Sequence, residues 1–441
     1  MTGIGQADQD DCLLNEVVID PSSKLGGIVK ASPSKAYTHR SLIAASLSCG
    51  RSRISEPLVS DDSEATLGAV RAYGAFVQQD EEAWTVTGRS SPVTPEDVID
   101  CRESAATIRF MTPVAALAPG ISVLTGRPQL KRRPIGPLLQ AMKELGVTCY
   151  TARGDGCPPV IVFGGGIAGG RAFLPGDISS QFVSGLLFAS PMAQSGVVVS
   201  LTSPLESRHY VDMTVDVLKH HGIEVETNAD FREYHVGAGQ TYKPRDWKIP
   251  GDYSSAAFIL AGAAVTGSKV RVTNLNKRSL QGDRAIVEIL TKMNAKVHVS
   301  EDSVEVTGGP LSGIELDADQ IPDLVPVVTV LGCYAKVKTV IHKTHRLRIK
   351  ESDRLSSLTS ELGRMGASIQ LVDDTLIVKG GSRIKGMVID PHGDHRIAMA
   401  CSIAALGADG ATTIRDTQCI NKSYPAFYQD LARIGVSLHG R

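Results

Sequence analysis

Arg364-Met365-Gly366-Ala367-Ser368-Ile369 joins the end of an amphipathic run to a short alternating one. A glycine or asparagine at that junction suits a left-handed helix C-cap, and alternation after it reads as a strand. The phrase recurs at Ala72-Tyr73-Gly74-Ala75-Phe76-Val77, Glu144-Leu145-Gly146-Val147 and His221-Gly222-Ile223-Glu224-Val225. It returns at Lys292-Met293-Asn294-Ala295-Lys296-Val297 and Arg433-Ile434-Gly435-Val436-Ser437-Leu438. The Gly/Asn positions are 72, 76, 72, 72 and 69 residues apart. Six copies at a near-constant period predict a repeat architecture before any motif is considered.

Each repeat holds a second, more apolar helix, opened by small polar or charged residues. The openings begin at Ser34, Glu103, Asp177, Gly251, Ile321 and Gly393, and runs such as Phe258–Val265 and Ile397–Leu406 follow. Helices that are apolar all round belong inside a domain. The expected fold is α/β, with two similar domains of three βα units around buried parallel helices, an inside-out barrel. One domain is expected at 34–250. The other is expected to combine 1–33 with 251–441, residues 1–13 being a disordered tail, so that the chain crosses between domains twice.

A chain of 441 residues with 42% hydrophobic and 21% charged residues suits a globular protein of more than one domain. A formal net charge of −1 gives no global attraction to nucleic acid or an anionic membrane. Eight scattered cysteines form no C-x-x-C pair, which argues against structural zinc and suits a reducing compartment. The longest apolar run, near Val325–Ala335, is too short to span a bilayer. No Walker-type loop and no strand-associated G-x-G-x-x-G is present, so no nucleotide cofactor is indicated.

If the six buried helices run parallel, their polar openings gather in one cleft. That brings together Lys35, Arg40, Arg109 and Ser179-Ser180-Gln181 with Asp323 and Asp394-His395-Arg396. Lys131-Arg132-Arg133-Pro134 and Asn421-Lys422-Ser423-Tyr424-Pro425 are candidate additions. The stretch Arg348-Ile349-Lys350-Glu351-Ser352-Asp353-Arg354 adds two cations expected to project together from a first helical turn, with Glu351 beside them. Taken singly, the Lys350–Arg354 and Asp394–Arg396 stretches are better read as solvated or capped helix starts and Lys131–Arg133 as a solvated turn, while Ser179–Gln181 is equally an N-cap box. Their common place in the repeat favours an anion site for ligands bearing phosphate and carboxylate.

From about Val17 onward the sequence resembles the 5-enolpyruvylshikimate-3-phosphate synthase family. The resemblance is carried by Pro33-Ser34-Lys35, Gln281-Gly282-Asp283, Pro322-Asp323, Lys350–Arg354 and Asp394-His395-Arg396 in that order, with Lys422. It implies the two-domain repeat fold and transfer of enolpyruvyl from phosphoenolpyruvate to shikimate 3-phosphate. It also implies a cytoplasmic monomer with no metal, organic cofactor, nucleic acid or membrane partner. Lys35, Arg133, Arg354, Arg396 and Lys422, with Gln181, match the cations and amide around phosphoenolpyruvate, and Ala105 lies beside them. Arg40, Ser179, Ser180, Ser207 and Tyr210 match contacts to shikimate 3-phosphate, with Lys35, Asp323 and Lys350 on the ring side. Asp323 resembles the base on the 5-hydroxyl. Glu351, with Lys35, resembles the group exchanging the methylene proton.

Departures are Ala36, where the family usually has serine, and Ala105 and Ala106, where Gly-Thr is common. Arg346 stands where a small amide or His is more usual. The Ala105 methyl is expected to crowd the inhibitor glyphosate more than the substrate. Two alternatives stand beside this reading: a UDP-N-acetylglucosamine enolpyruvyl transferase, and a phospho-ligand binding protein without turnover.

Overall fold

All six Gly or Asn residues of the recurring phrase take positive φ, from 72° at Asn294 to 100° at Gly366 and Gly435. Glycine meets that backbone without a Cβ penalty, and Asn is among the side chains that tolerate it. At Gly366 the closing bonds run from Gly366 N to Gly363 O and from Ala367 N to Leu362 O, both 2.9 Å. These satisfy carbonyls that a helix end otherwise leaves open.

The computed structural model describes residues 15–22 and 24–440. The tail expected at 1–13 lies outside the described residues. Helices α1 Lys35–Leu47, α2 Asp61–Ala72, α3 Ala105–Ala115 and α4 Gly136–Glu144 open the chain. Helices α5 Ser180–Ala189, α6 Arg208–His220, α7 Tyr253–Val265 and α8 Ile286–Lys292 follow. The last are α9 Val325–Tyr334, α10 Arg354–Arg364, α11 His395–Leu406 and α12 Phe427–Arg433. The odd-numbered helices are the apolar, buried ones, and the even-numbered ones end at the Gly/Asn caps. Helix α10 shows the logic of an even member. Leu355, Leu358 and Leu362 share one face and are each 0% exposed, which contributes roughly 1.5–3 kcal/mol apiece.

Six four-stranded sheets accompany the helices. Each has the same pattern of one parallel pair followed by two antiparallel pairs. Glu16–Ile19 sits between Thr412–Arg415 and Leu438–Gly440, while Gly26–Lys30 lies parallel to Lys269–Thr273. Trp247–Lys248 returns to pair with the strand Gly50–Ser55. One buried apolar cluster draws on residues from Val17 to Ala31 and from Tyr253 to Val436, and a second on residues from Tyr37 to Ile249. Where the chain passes between them, the two passages lie side by side. Ser34 N donates to Pro250 O and Asp252 N to Ser32 O, both at 2.8 Å.

Two local expectations need correction. Helix α10 begins at Arg354 with Asp353 as its N-cap, so Lys350 is not in its first turn. Lys350 follows the 3-10 turn His345–Ile349 in an extended conformation. Asp353 accepts from Ser356 N at 3.2 Å and thereby starts the helix at Arg354, beyond Lys350. In the third repeat the strand is Glu226–Thr227 rather than Ile223–Val225. There the Gln240 side chain bonds Glu224 N at 2.7 Å and Glu224 O at 3.0 Å, taking the place of a ladder partner.

Candidate active site

Five of the six buried helices start at a side-chain cap. Ser34, Ser104, Ser179, Asp252 and Asp394 accept from Tyr37, Thr107, Gln181, Ser254 and Arg396 backbone N–H groups. Helix α9 lacks such a cap. Its preceding 3-10 turn Pro322–Leu324 carries Asp323, and Pro326 occupies its first turn, where a missing N–H costs nothing. All six openings face one cavity. Lys35, Ala105, Ser180, Ser254, Asp323 and Arg396 contribute one lining residue from each. The cavity therefore collects helix N-termini, with their unpaired N–H groups and positive dipole ends.

Its floor is a network around Arg354. The guanidinium donates from Nη1 to Asp323 Oδ1 at 2.9 Å, from Nη2 to Glu351 Oε2 at 2.7 Å and from Nε to Asp394 Oδ2 at 2.8 Å. Arg354 is 1% exposed and all three of its nitrogens are engaged. Four of its five N–H groups are taken, so a substrate carboxylate can meet one N–H of Nη1 and gains a second only by displacing a partner. Asp323 also accepts from Tyr210 Oη at 2.9 Å and has Arg396 Nη2 at 3.4 Å and Lys350 Nζ at 3.7 Å. Glu351 has Arg133 Nη1 at 3.4 Å and Lys422 Nζ at 3.8 Å. Burial alone would raise both carboxyls. The cations more than offset it and hold both well below the usual carboxylate range: Arg396, Lys350 and Arg354 act on Asp323, and Arg354, Arg133 and Lys422 on Glu351. Burial pushes Lys350 down to about 8, although Asp323 opposes it.

The other wall is built from hydroxyls and arginines. Arg40 donates to Thr214 Oγ1, Ala36 O and Tyr210 O at 2.8–2.9 Å, and burial pushes it down to about 10. Arg109 donates to Ser179 Oγ at 3.2 Å, Gln181 Oε1 at 2.8 Å and Pro134 O at 2.9 Å, which fixes the opening of α5 and the loop before α4. Ser207 sits at φ 54°, a left-handed conformation, where its N–H donates to Asp319 O at 3.0 Å. Ala105 is the first residue of α3 and buried; Ala36 and Ala106 line the same cavity. Lys422 does not line it but reaches across to Glu103 O at 3.0 Å.

Every residue that the resemblance assigned to binding or chemistry thus lines this cavity or, for Lys422, stands against Glu351 beside it, whereas Asp394, Lys131, Arg132 and Asn421, gathered there on spacing, are not among its lining residues. Sequence reasoning missed His39, Asp62, Asp252 and Ser254, which also line it. Asp62 accepts from Lys35 Nζ at 2.9 Å; its place just inside α2, after the Ser60 cap, carries no signal that it meets Lys35. His395 is buried, with neither ring nitrogen hydrogen-bonded, and burial holds it well below the usual histidine range, hence neutral. Among the described residues no cluster of His, Cys, Asp and Glu has the geometry to hold a metal ion.

The profile of the EPSP synthase (3-phosphoshikimate 1-carboxyvinyltransferase) family matches residues 19–431. A 3-phosphoshikimate 1-carboxyvinyltransferase of Methanocella arvoryzae is 43% identical over 419 residues, covering 94% of this chain and 98% of its own length. One from Methanococcus maripaludis is 38% identical over 426 residues, covering 96% and 99%. Among solved structures, an EPSP synthase of Acinetobacter baumannii superposes with a TM-score of 0.81 at 26% identity, covering 96% of this chain and 99% of the other.

Proposed function

The chain belongs to the EPSP synthase family, and from that premise we propose that its cavity transfers the enolpyruvyl group of phosphoenolpyruvate to the 5-hydroxyl of shikimate 3-phosphate. This is 3-phosphoshikimate 1-carboxyvinyl transfer, a step in chorismate and aromatic amino acid biosynthesis. The UDP-N-acetylglucosamine reading falls away with the family match. The proposed organisation is two similar three-unit domains, 34–250 and 1–33 with 251–441, each an inside-out barrel, with the site between them. The two apolar clusters and the six identical sheet patterns support it. The reading includes a monomer working in the cytoplasm without metal or organic cofactor. No helix among the described residues is long and apolar enough to cross a membrane.

Lys35, Arg133, Arg354, Arg396 and Lys422, with Gln181, receive phosphoenolpyruvate, and Ala105 bounds its space. Arg40, Ser179, Ser180, Ser207 and Tyr210 receive shikimate 3-phosphate, with Lys35, Asp323 and Lys350 along its ring. Asp323 takes the 5-hydroxyl proton as that oxygen bonds to C2. A proton passes to C3 from Glu351, with Lys35 beside it. In the second step C3 returns a proton to Glu351 and phosphate leaves C2. The observation that carries this assignment is that Asp323 and Glu351 grip one arginine, Arg354, within a ring of cations. Those cations now suppress the basicity of both carboxylates. Anionic substrates that draw them away return Asp323 and Glu351 toward useful pKa values when the site is filled. The same cations then stabilise the charge on the leaving phosphate.

The test is phosphate release from phosphoenolpyruvate plus shikimate 3-phosphate, in the wild type and in Glu351→Gln. Release by the wild type, with kcat lowered by about 10²–10⁴ in the variant, is expected. Tight binding of both ligands without release would leave a phospho-ligand binding protein instead.

A further inference from the structure

A second cavity, of about 610 Å³, opens beside the paired passages at Ser32–Ser34 and Pro250–Asp252, and its size suits a small molecule. No residue lines both cavities. One side of it comes from the 34–250 segment: Tyr37 on α1, Asp216 and His220 on α6, and Trp247. The other side comes from the loop 274–281, where Arg278 and Leu280 are exposed. Trp247 stacks on Tyr37 with ring centroids 5.9 Å apart and meets the His220 ring edge to face at 4.3 Å. With Leu280, 42% exposed, these rings offer a wall that a flat apolar body can cover.

Two charges in this cavity lack counter-ions, one of each sign. Asp216 is half-buried and accepts from Tyr37 Oη at 3.2 Å, yet among the described residues no cation forms an ion pair with it. Burial raises its pKa, and the Tyr37 bond with the charges of His220 and Lys219 does not reverse the rise. A carboxylate so placed calls for a cation, and an ammonium set against the rings gains from their negative faces as well. The Arg278 guanidinium has no hydrogen bond or ion pair among the described residues, so its fork is free for a carboxylate. The other two charged lining residues are occupied: Asp246 Oδ1 accepts from Arg53 N at 2.7 Å, and Lys248 pairs with Glu56 at 3.1 Å.

We propose that this cavity is a binding site for an aromatic α-amino acid, with its ammonium on Asp216, its carboxylate on Arg278 and its ring against Tyr37, Trp247 and His220. A ligand with both charges and a flat side chain answers all three features. A simple amine, a simple acid or an aliphatic amino acid answers two at most. The site is separate from the main cavity and does not depend on which reaction occurs there.

The chain has two tryptophans, and Trp84 is buried at 1% exposure, so a ligand-induced change in tryptophan fluorescence reports on Trp247. The test is calorimetry and tryptophan fluorescence of the full chain with L-phenylalanine, phenethylamine, which lacks the carboxylate, and hydrocinnamate, which lacks the ammonium. L-phenylalanine is expected to bind saturably, to change the fluorescence and to bind more tightly than either fragment. Asp216→Asn weakens L-phenylalanine and phenethylamine by about tenfold, the scale of a hydrogen bond to a charged group, and leaves hydrocinnamate unchanged. Arg278→Gln weakens L-phenylalanine and hydrocinnamate by about threefold, the scale of an exposed ion pair, and leaves phenethylamine unchanged. Turnover of both variants stays at the wild-type level, which also shows that they fold. Absence of saturable binding, binding without a fluorescence change, or unchanged L-phenylalanine affinity in both variants overturns the proposal. Displacement of L-phenylalanine by shikimate 3-phosphate with phosphoenolpyruvate places it in the main cavity and overturns the proposal too.

Discussion

Arg354 and Asp394 are joined twice, Nε to Oδ2 at 2.8 Å and Nη2 to Oδ1 at 3.3 Å, and neither side chain is more than 1% exposed. Asp394 is also the N-cap of α11. Removing the guanidinium leaves Asp394, Asp323 and Glu351 buried without their common cation. Arg354→Ala is expected to lose about 3–5 kcal/mol of unfolding free energy in urea, besides raising KM for phosphoenolpyruvate. A loss under about 1 kcal/mol would show that the three carboxylates do not depend on it.

Ala105 opens α3 and presents its methyl to the cavity. Ala105→Gly is expected to lower the glyphosate concentration for half inhibition by about tenfold, since one methyl in a tight pocket discriminates on the scale of 1–3 kcal/mol. KM for phosphoenolpyruvate falls in the same variant. Equal inhibition of the two proteins would mean that the methyl does not touch the inhibitor's path.

Asp283 is buried beneath the site, accepts a short hydrogen bond from Ser254 Oγ, and is pushed up to about 7 by burial and then by the charge of Asp323. Its folded pKa lies above the unfolded value of about 4, so the folded state holds a proton that the unfolded state has lost. Stability from this group therefore falls as pH rises from about 4 to about 7, then levels. Asp283→Asn should flatten that fall and be more stable than wild type at pH 8 by on the order of 1–4 kcal/mol. Denaturant titrations at pH 5 and pH 8 read both; parallel curves for the two proteins would remove Asp283 from the account.

Lys350, held at about 8, loses its charge within an accessible pH range. The kcat/KM for shikimate 3-phosphate, which reports the free enzyme, should decline with an alkaline limb near pH 8. Lys350→Arg keeps the charge and should move that limb upward by more than about one unit. An unmoved limb would assign it to another group.

What was legible in the sequence was local. The glycine and asparagine caps, the buried helices and the serine and aspartate N-caps follow from a few neighbouring residues each. The gathering of helix openings then followed from repetition. Contacts between distant segments were not legible. Lys35 meets Asp62, and Arg346 meets Glu206 and Ser207, through chain routing that charge spacing does not encode. Lys350 illustrates the limit: its four-residue distance from Arg354 suggested a helical face, yet Asp353 takes the cap, and the two cations converge on Asp323 by way of a loop.

The paired passages at Ser32–Ser34 and Pro250–Asp252 form a two-strand ribbon tied by two backbone bonds. The ribbon joins the two runs of chain that open α1 and α7, so it ties the positions of those two helix openings to one another. Its ends run straight into the caps of α1 and α7, one residue before Lys35 and two before Ser254. The crossing between the two apolar clusters and the start of the cavity lining are therefore the same piece of chain. A change that breaks either bond is expected to shift Lys35, and so to be felt at the cavity as well as in the fold.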